Sequence, residues 1–411
     1  MGDRHIVIVG AGHAGGRVVQ HLLARQYDGR LTMIGEEEFP PYERPALSKE
    51  ALLGERNVND LYLCSEDFWR SSKNMRWVQS RAVAVDGQRK AVRIATGEEI
   101  EFDDLVVATG GRARTLKIPG GNLPGVYTLR TIADCLALRE VLHKDCHVAI
   151  VGAGVIGMEV AATAAKLGAS VTVLEAGKQI LGRCLPPFAA EWLREVHRSH
   201  GARIETEIDV SEIAASGKKL TVHATRGNGE GIVVEVDIVL AAIGIECEVD
   251  FLSGTGIATR NGIPVGADCR SPVASWCLAV GDVSLAYNNH YESAVRQETW
   301  RNAENQAQAV AEFLLGRVDP YIEIPWMWTD QFEHNIQVVG RPELGKDTVV
   351  RRAETGELAA VFCLQDEQLV AGVLINTGRD RKSLEKLIRS KKRASRDDLA
   401  NPSIPLKGLC G

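Results

Sequence analysis

The sequence predicts an α/β protein built from two Rossmann-like, doubly wound dinucleotide-binding domains, the first interrupted by the second, with an α+β domain at the C-terminus. Three observations carry that prediction. An apolar run leading into G-x-G-x-x-G occurs twice, and each copy continues into a helix-like stretch and a second apolar run that ends in acid. A further buried-strand run ending in glycine follows each unit, at 105–110 and 238–244. From about Pro325 onward the Gly-rich pattern stops.

The first repeat runs from an apolar segment at 6–9 through Gly10, Gly12, Ala14 and Gly15 to the acid-ended run at 31–37. Its echo runs from 148–151 through Gly152, Gly154, Ile156 and Gly157 to 171–175. After Pro325, the segments 337–339, 348–350 and 359–362 read as antiparallel strands, followed by a helix over 383–389. The expected domains are 1–112 with 246–322, then 113–245 inserted between those halves, and 323–411.

At 411 residues the chain exceeds what one hydrophobic core serves. A net charge of -6 and a pI near 6.0 argue against nucleic-acid binding. No apolar run approaches the roughly 20 residues that cross a bilayer. The strand-like run beginning at Ile6 leaves no room for a signal peptide, so a cytoplasmic location is expected. Met1-Gly2 could open a myristoylation motif, but Ile6 stands where Ser or Thr is required. The nine cysteines form no C-x-x-C and read mostly as small buried hydrophobes. The ten histidines show neither metal-ligand spacing nor a triad pattern, so no metal site and no histidine role is expected.

In each glycine motif the first glycine makes the tight turn, the second admits a pyrophosphate and the third lets helix pack on strand. The phosphates then meet the free N–H groups of a helix N-terminus. Glu175 stands where a carboxylate binds adenosine ribose hydroxyls and repels a 2′-phosphate, which favours NADH over NADPH. Glu36, or less readily Glu37, has the equivalent place in the first repeat. The segment 276–282, an apolar strand ending in Gly281-Asp282 and leading into a helix, suits a flavin's ribityl chain, with Asp282 accepting from a hydroxyl. The first domain is thus expected to hold FAD and the second NADH.

Beyond these motifs the chain resembles a known family, the FAD-dependent pyridine-nucleotide oxidoreductases, and within it the oxygenase-coupled NADH–ferredoxin reductases. The resemblance covers nearly the whole chain and rests on 42–49 (YERPALSK), 129–131 (LRT), 280–282 (VGD), 298–306 (ETWRNAENQ) and 325–331 (PWMWTDQ). It implies FAD contacts from Ala14, Glu36, Arg44, Lys49, Ala82, Arg130, Asp282 and Trp300, and an NADH path lined by Ile156, Glu159, Glu175, Arg183 and Gly244. Ala46 stands where many relatives have Pro, and Glu36 replaces a common Asp; neither changes the charge required. Lys49 is a cation that would stabilise a reduced, anionic flavin, or else an ordinary surface ion-pair partner. Glu159, early in the second glycine helix, is expected to meet the nicotinamide and to pair with Lys49 across a domain boundary. Trp326 and Trp328 alternate at strand spacing, so that one faces inward; Trp328 is either a flavin contact or core.

The implied reaction is hydride transfer from NADH to FAD, then single electrons to a small iron–sulfur ferredoxin, commonly [2Fe–2S], that supplies a cytochrome P450 or Rieske-type oxygenase. Such carriers are acidic, and one basic stretch would dock them: Arg379, Arg381, Lys382, Lys386, Arg389, Lys391, Lys392, Arg393 and Arg396, opposed by Asp380 and Glu385 alone. A solvated helix face is the other reading of that stretch. A disulfide reductase would need a dithiol, and an NADH oxidase or peroxidase a lone cysteine within 44–49; neither is present. Rubredoxin reductase, and a flavoprotein redox sensor or scaffold, remain as alternatives.

Overall fold

The computed structural model describes residues 4–317 and 319–410. The Met1-Gly2 pair weighed above as an acylation motif lies outside them. The chain divides into two compact units: 1–45, 57–112 and 245–323 form one, and 46–56, 113–244 and 324–411 form the other.

At the centre of the first unit lies a five-stranded sheet in the order Cys277–Ala279, Asp104–Val107, His5–Val9, Arg30–Gly35, Met75–Gln79. Every pairing is parallel, with Val7 opposite both Thr32 and Leu105. Strands covered on both faces must be apolar along their whole length, and Ile6, Val7 and Ile8 are fully buried. A polar pair in this layer satisfies itself, His5 Nε2 lying 2.8 Å from Thr32 Oγ1. Strand His5–Val9 feeds the helix His13–Ala24, which packs beside the helix Trp300–Leu314. Thr299 caps the latter by accepting from the Asn302 N–H.

The second unit repeats this plan. Its parallel sheet runs Arg203–Thr206, Ser170–Glu175, His147–Val151, Ile238–Ala241, Val126–Tyr127. The helix Val155–Lys166 follows its central strand. The outermost strand is the one place where the chain paths differ. Beside 104–107 it comes from 170 residues further on, whereas beside 238–241 it precedes the glycine motif. After residue 324 an antiparallel sheet is ordered Trp326–Gln331, His334–Gly340, Gln368–Ile375, Leu358–Gln365, Asp347–Arg352, with the helix Arg381–Ser390 packed on it. The expected strands at 337–339, 348–350 and 359–362 each lie inside one of these, and the expected helix lies inside 381–390.

Two local expectations need correction. The strand at 277–279 does not lead into a helix: a single 3-10 turn at Gly281–Val283 passes directly to the strand Ser284–Asn288. The Gly281 N–H at this turn donates to the Gln306 side-chain oxygen at 2.9 Å. Trp326 and Trp328 do not face opposite ways. Residues i and i+2 of a strand share a face, and the two rings stack at 5.3 Å and 20°.

Five of the nine cysteines are buried, and among the described residues none forms a disulfide. Burial pushes the Cys135 thiol up to about 11 and those of Cys269, Cys277 and Cys363 to about 12. Among the described residues no helix is long and apolar enough to cross a membrane.

Phe362, fully buried in the C-terminal sheet, sits opposite Val349 and Gly372, with the Arg351 guanidinium 5.4 Å from its ring centre. Phe362→Ala is expected to lower stability by about 3–5 kcal/mol in urea unfolding, because the site is closed on every side. A loss below about 1 kcal/mol would show that this sheet does not rest on that ring.

Candidate functional site

In the first unit the glycine motif forms a cradle that excludes side chains. Gly10 has φ +114°, and a Cβ there would collide with the Ala108 carbonyl. A Cβ at Gly15 would strike the Gly10 carbonyl oxygen, so helix and turn approach as closely as backbone allows. Gly12, the N-cap of the helix His13–Ala24, supplies no side-chain cap, and the first turn holds no acid. The leading N–H groups are left for an anion. A cation waits beside them: a Cβ on Gly12 would lie 3.4 Å from an Arg44 Nη. Arg44 donates to Glu37 at 2.7 Å and to the Tyr42 hydroxyl at 2.8 Å. Its burial, which works against the charge, is outweighed by Tyr42, Glu37 and Asp282, so the guanidinium is held above its ordinary value.

The other first-unit residues gather on this cradle. Ala14 faces Gly281, where an added Cβ would stand 3.0 Å from the Ala14 methyl, and this brings Asp282 to the motif. Trp300 opens its helix with its ring 5.5 Å from that of His13. Ala82 begins the strand Ala82–Asp86 and is half-buried. The structure separates the two candidate acids at the end of the second strand. Glu37 is engaged by Tyr42 and Arg44, whereas Glu36 is exposed with one loose ion pair to Arg81 at 3.7 Å. Glu36 is therefore the carboxylate available to a ribose. Open helix end, fixed cation and available acid suit the pyrophosphate and ribose of a dinucleotide.

The second unit carries the same cradle. Gly152 has φ +101°, with an added Cβ only 2.6 Å from the Ala242 carbonyl oxygen, and a Cβ at Gly157 would strike the Gly152 oxygen. Gly154 caps the helix Val155–Lys166 without a side chain, and nothing lies within 4 Å of where its Cβ would be. Glu175 accepts from the Ala153 N–H at 2.5 Å and the Gly177 N–H at 2.7 Å, which fixes its carboxylate at the mouth of the motif. A carboxylate has about four acceptor positions, so it retains capacity for ribose hydroxyls. Ile156 is 41 % exposed on the first turn of the helix, an apolar surface left uncovered beside the cradle. Arg183 and Gly244 are exposed, and Arg130 precedes Thr131, whose capping box starts the helix Ile132–Val141.

Lys49, Glu159 and Trp328 come together in the second unit. Lys49 Nζ lies 3.6 Å from Glu159 and 3.4 Å from Asp330, with the Trp328 ring centre at 5.8 Å. The Trp328 indole N–H donates to Asp330 at 3.1 Å. The Lys49–Glu159 pair expected across a domain boundary is thus made inside one unit, because segment 46–56 groups with the second. Glu159 also accepts from the Ser48 hydroxyl and, at 2.7 Å, from the Thr329 hydroxyl. Burial pushes Glu159 up, while Lys49, Ser48 and Thr329 oppose that rise. One ammonium between two carboxylates and an indole face is a directed, partly dry charge site.

Sequence reasoning missed Ser48, Thr329, Asp330, Gln331 and His197, all hydrogen-bonded within or next to this cluster. Thr329, Asp330 and Gln331 lie in the 325–331 motif, but short polar residues on a strand carry no signal of their own. The basic C-terminal stretch is more neutralised than its own sequence suggests. Glu385 pairs with Arg381 and Arg389, Glu367 with Arg393 at 3.2 Å, and Asp347 with Arg396 at 3.7 Å. Lys382, Lys386, Lys391 and Lys392 are exposed.

The pyridine nucleotide-disulphide oxidoreductase family matches residues 4–307, and the reductase C-terminal family matches 326–410. The chain is 35% identical to the ferredoxin–NAD(+) reductase component of the anthranilate 1,2-dioxygenase system of Burkholderia cepacia, over 98% of each chain. Among solved structures it is similar to a ferredoxin reductase from Rhodopseudomonas palustris, with TM-score 0.93 and 30% identity over 100% of both chains. It is also similar to putidaredoxin reductase in its covalent complex with putidaredoxin, with TM-score 0.92 and 30% identity, covering 99% of this chain and 98% of that one. With both dinucleotide cradles and the C-terminal sheet accounted for in this way, the chain belongs to the pyridine nucleotide-disulphide oxidoreductase family, among the members that carry the reductase C-terminal domain.

Proposed function

We propose that this chain is an NADH-dependent ferredoxin reductase, oxidising NADH with a bound FAD and delivering electrons to a small iron–sulfur ferredoxin, a [2Fe–2S] carrier, that serves a cytochrome P450 or Rieske-type oxygenase. The observation that carries the reading is the doubled cradle: two uncapped glycine helices in one polypeptide, one beside Arg44 and Asp282, the other beside Glu175. Relatives named as reductase components of dioxygenase systems support the acceptor. Residues 1–112 and 246–322 are assigned to FAD binding, 113–245 to NADH binding and 323–411 to the C-terminal domain. A cytoplasmic location fits this role.

Bound FAD supplies the chemistry that joins a two-electron donor to a one-electron acceptor. The protein's part is binding, orientation and charge. Gly10, Gly12, Ala14 and Gly15 admit the flavin nucleotide's pyrophosphate, Arg44 balances its charge, and Glu36 and Asp282 accept from its hydroxyls. Ala82, Arg130 and Trp300 are assigned to FAD on the family resemblance. Gly152, Gly154 and Gly157 admit the NADH pyrophosphate, with Glu175 on the adenosine ribose and Ile156, Arg183 and Gly244 along its path. Lys49, Glu159 and Trp328 are the groups proposed to meet the reacting rings. Lys49 offsets negative charge that develops there, Glu159 fixes Lys49 and accepts from the nicotinamide amide, and Trp328 gives a flat apolar face.

Three outcomes are expected. In anaerobic stopped flow, NADH should bleach the yellow holoenzyme, and mixing with a [2Fe–2S] ferredoxin should restore the colour faster than mixing with rubredoxin; the reverse order would make this a rubredoxin reductase. Glu175→Ala removes the carboxylate that repels a 2′-phosphate, so the NADH-over-NADPH ratio of kcat/KM should fall about tenfold or more. An unchanged ratio would place the discrimination elsewhere. Charge reversal at Lys382 and Lys386 should slow ferredoxin reduction several-fold, most at low salt, and spare NADH oxidation by ferricyanide. Equal loss of both activities, or of neither, would remove this face as the dock.

A further inference from the structure

Beyond Glu159 a line of buried polar side chains leads away from Lys49 and ends on a histidine. Thr329, Gln331 and His197 are each 0 % exposed. The Thr329 hydroxyl donates to Glu159 Oε1 at 2.7 Å, and its only proton is committed there. Thr329 Oγ1 is therefore an acceptor toward Gln331, whose amide nitrogen lies 3.0 Å away. That choice turns Gln331 Oε1 to His197 Nε2, at 2.7 Å, so the imidazole proton sits on Nε2. His197 Nδ1 is buried with no hydrogen-bond partner among the described residues.

We propose that His197, Gln331 and Thr329 are positioning residues: a one-way chain of donors that holds Glu159 as an acceptor-only carboxylate for the reaction with NADH. The proposal rests on the NADH-dependent reading of the second unit. Its physical content is a comparison of two bond directions. If Glu159 took a proton on Oε1 and donated to Thr329, the Thr329 hydroxyl proton would need another acceptor, and the neighbouring Gln331 amide could supply one only by reversing. Gln331 would flip, and the His197 proton would move to Nδ1, where no acceptor stands. A buried N–H without an acceptor is among the least tolerated groups in a protein interior. The chain therefore resists protonation at Oε1 from a distance, as the Ser48 hydroxyl does directly at Oε2, and it does so without carrying charge.

The charges facing Glu159 agree with this division of labour. Lys49 favours its ionised form, while burial and Asp330, on the strand Trp326–Gln331, oppose it. The Ser48 hydroxyl, from the turn preceding Lys49, adds a second donor. His197 contributes no charge at neutral pH, because burial, opposed by the Gln331 hydrogen bond and aided by His200, presses its ring down to about 4. Its ring lies edge-on to Phe332, 5.0 Å away, and Phe332 stacks on His200 at 3.7 Å, so the donor is fixed in orientation by the hairpin that carries Gln331.

Two spectroscopic readouts test this on the holoenzyme. Nitrogen NMR of imidazole-labelled protein should show His197 as the Nε2–H tautomer throughout about pH 6 to 8. Infrared difference spectra, assigned by loss of the band in Glu159→Gln, should give the Glu159 carboxyl a midpoint that rises by about one pH unit, tenfold in its ionisation constant, in Gln331→Leu and in Thr329→Val. A raised Glu159 midpoint keeps the group protonated to higher pH, so the acid limb of the NADH-to-flavin rate should move upward by the same amount. His197→Phe should act likewise, and His197→Gln, which returns an N–H donor, should restore the midpoint. An Nδ1–H tautomer in the unaltered protein overturns the proposal, as does an unmoved Glu159 midpoint in whichever of the two chain variants folds. Neither spectrum needs an electron acceptor, so failure to reduce ferredoxin would count against the proposed function and leave this inference standing.

Discussion

A carboxylate 4 % exposed inside the second unit is the constraint on which that unit's arrangement depends. Removing an ionised Glu from water costs several kcal/mol unless donors replace the solvent. Glu159 receives them from two distant parts of the chain, Ser48 and Lys49 on one side and Thr329 on the other. The same helix turn secures the first of these, since the Thr163 hydroxyl donates to the Ser48 carbonyl at 2.7 Å. Segment 46–56 and the strand Trp326–Gln331 are thus drawn to the glycine helix by one buried charge. Neither is near it in sequence, and both fall in its unit.

The two cradles place different demands on the same backbone device. Each ends a parallel strand with a left-handed glycine and opens a helix with no side-chain cap. What distinguishes them is charge. Arg44 stands at the first, supported by Tyr42 and Glu37, so this cradle presents fixed positive charge to an anion. At the second, Glu175 closes the mouth through two backbone N–H groups, so the cradle presents a fixed acceptor. A duplicated fold thereby yields two binding chemistries through changes at strand ends, leaving the sheets untouched.

Much of this was legible in the sequence because it is written in local pattern. Glycines that must turn at Gly10 and Gly152, apolar runs that must be buried, and acids at strand ends each carry their own signal. Resemblance marks Lys49 and Glu159, strand spacing marks Trp328, and the structure brings the three together. What stayed hidden depends on tertiary partners. The choice of Glu36 over Glu37 is made by Tyr42 and Arg44 taking the latter. In place of the expected helix after Asp282, a 3-10 turn passes to a strand, and its Gly281 N–H is held by Gln306, 25 residues beyond Gly281. The acids that temper the basic stretch arrive from outside it, Glu367 from a hairpin turn and Asp347 from a strand end. His197 carries no periodicity that marks it as a donor, and the sequence could assign it nothing.

The sealed cysteines have a consequence of their own. A thiol near 11 or 12 is ionised to roughly one part in 10^4 or 10^5 at neutral pH, and it is the thiolate that peroxide oxidises and that exchanges with disulfides. Cys135, Cys269, Cys277 and Cys363 are therefore held almost wholly as thiols. At these four positions burial thus keeps sulfur in the form that stray oxidants attack least.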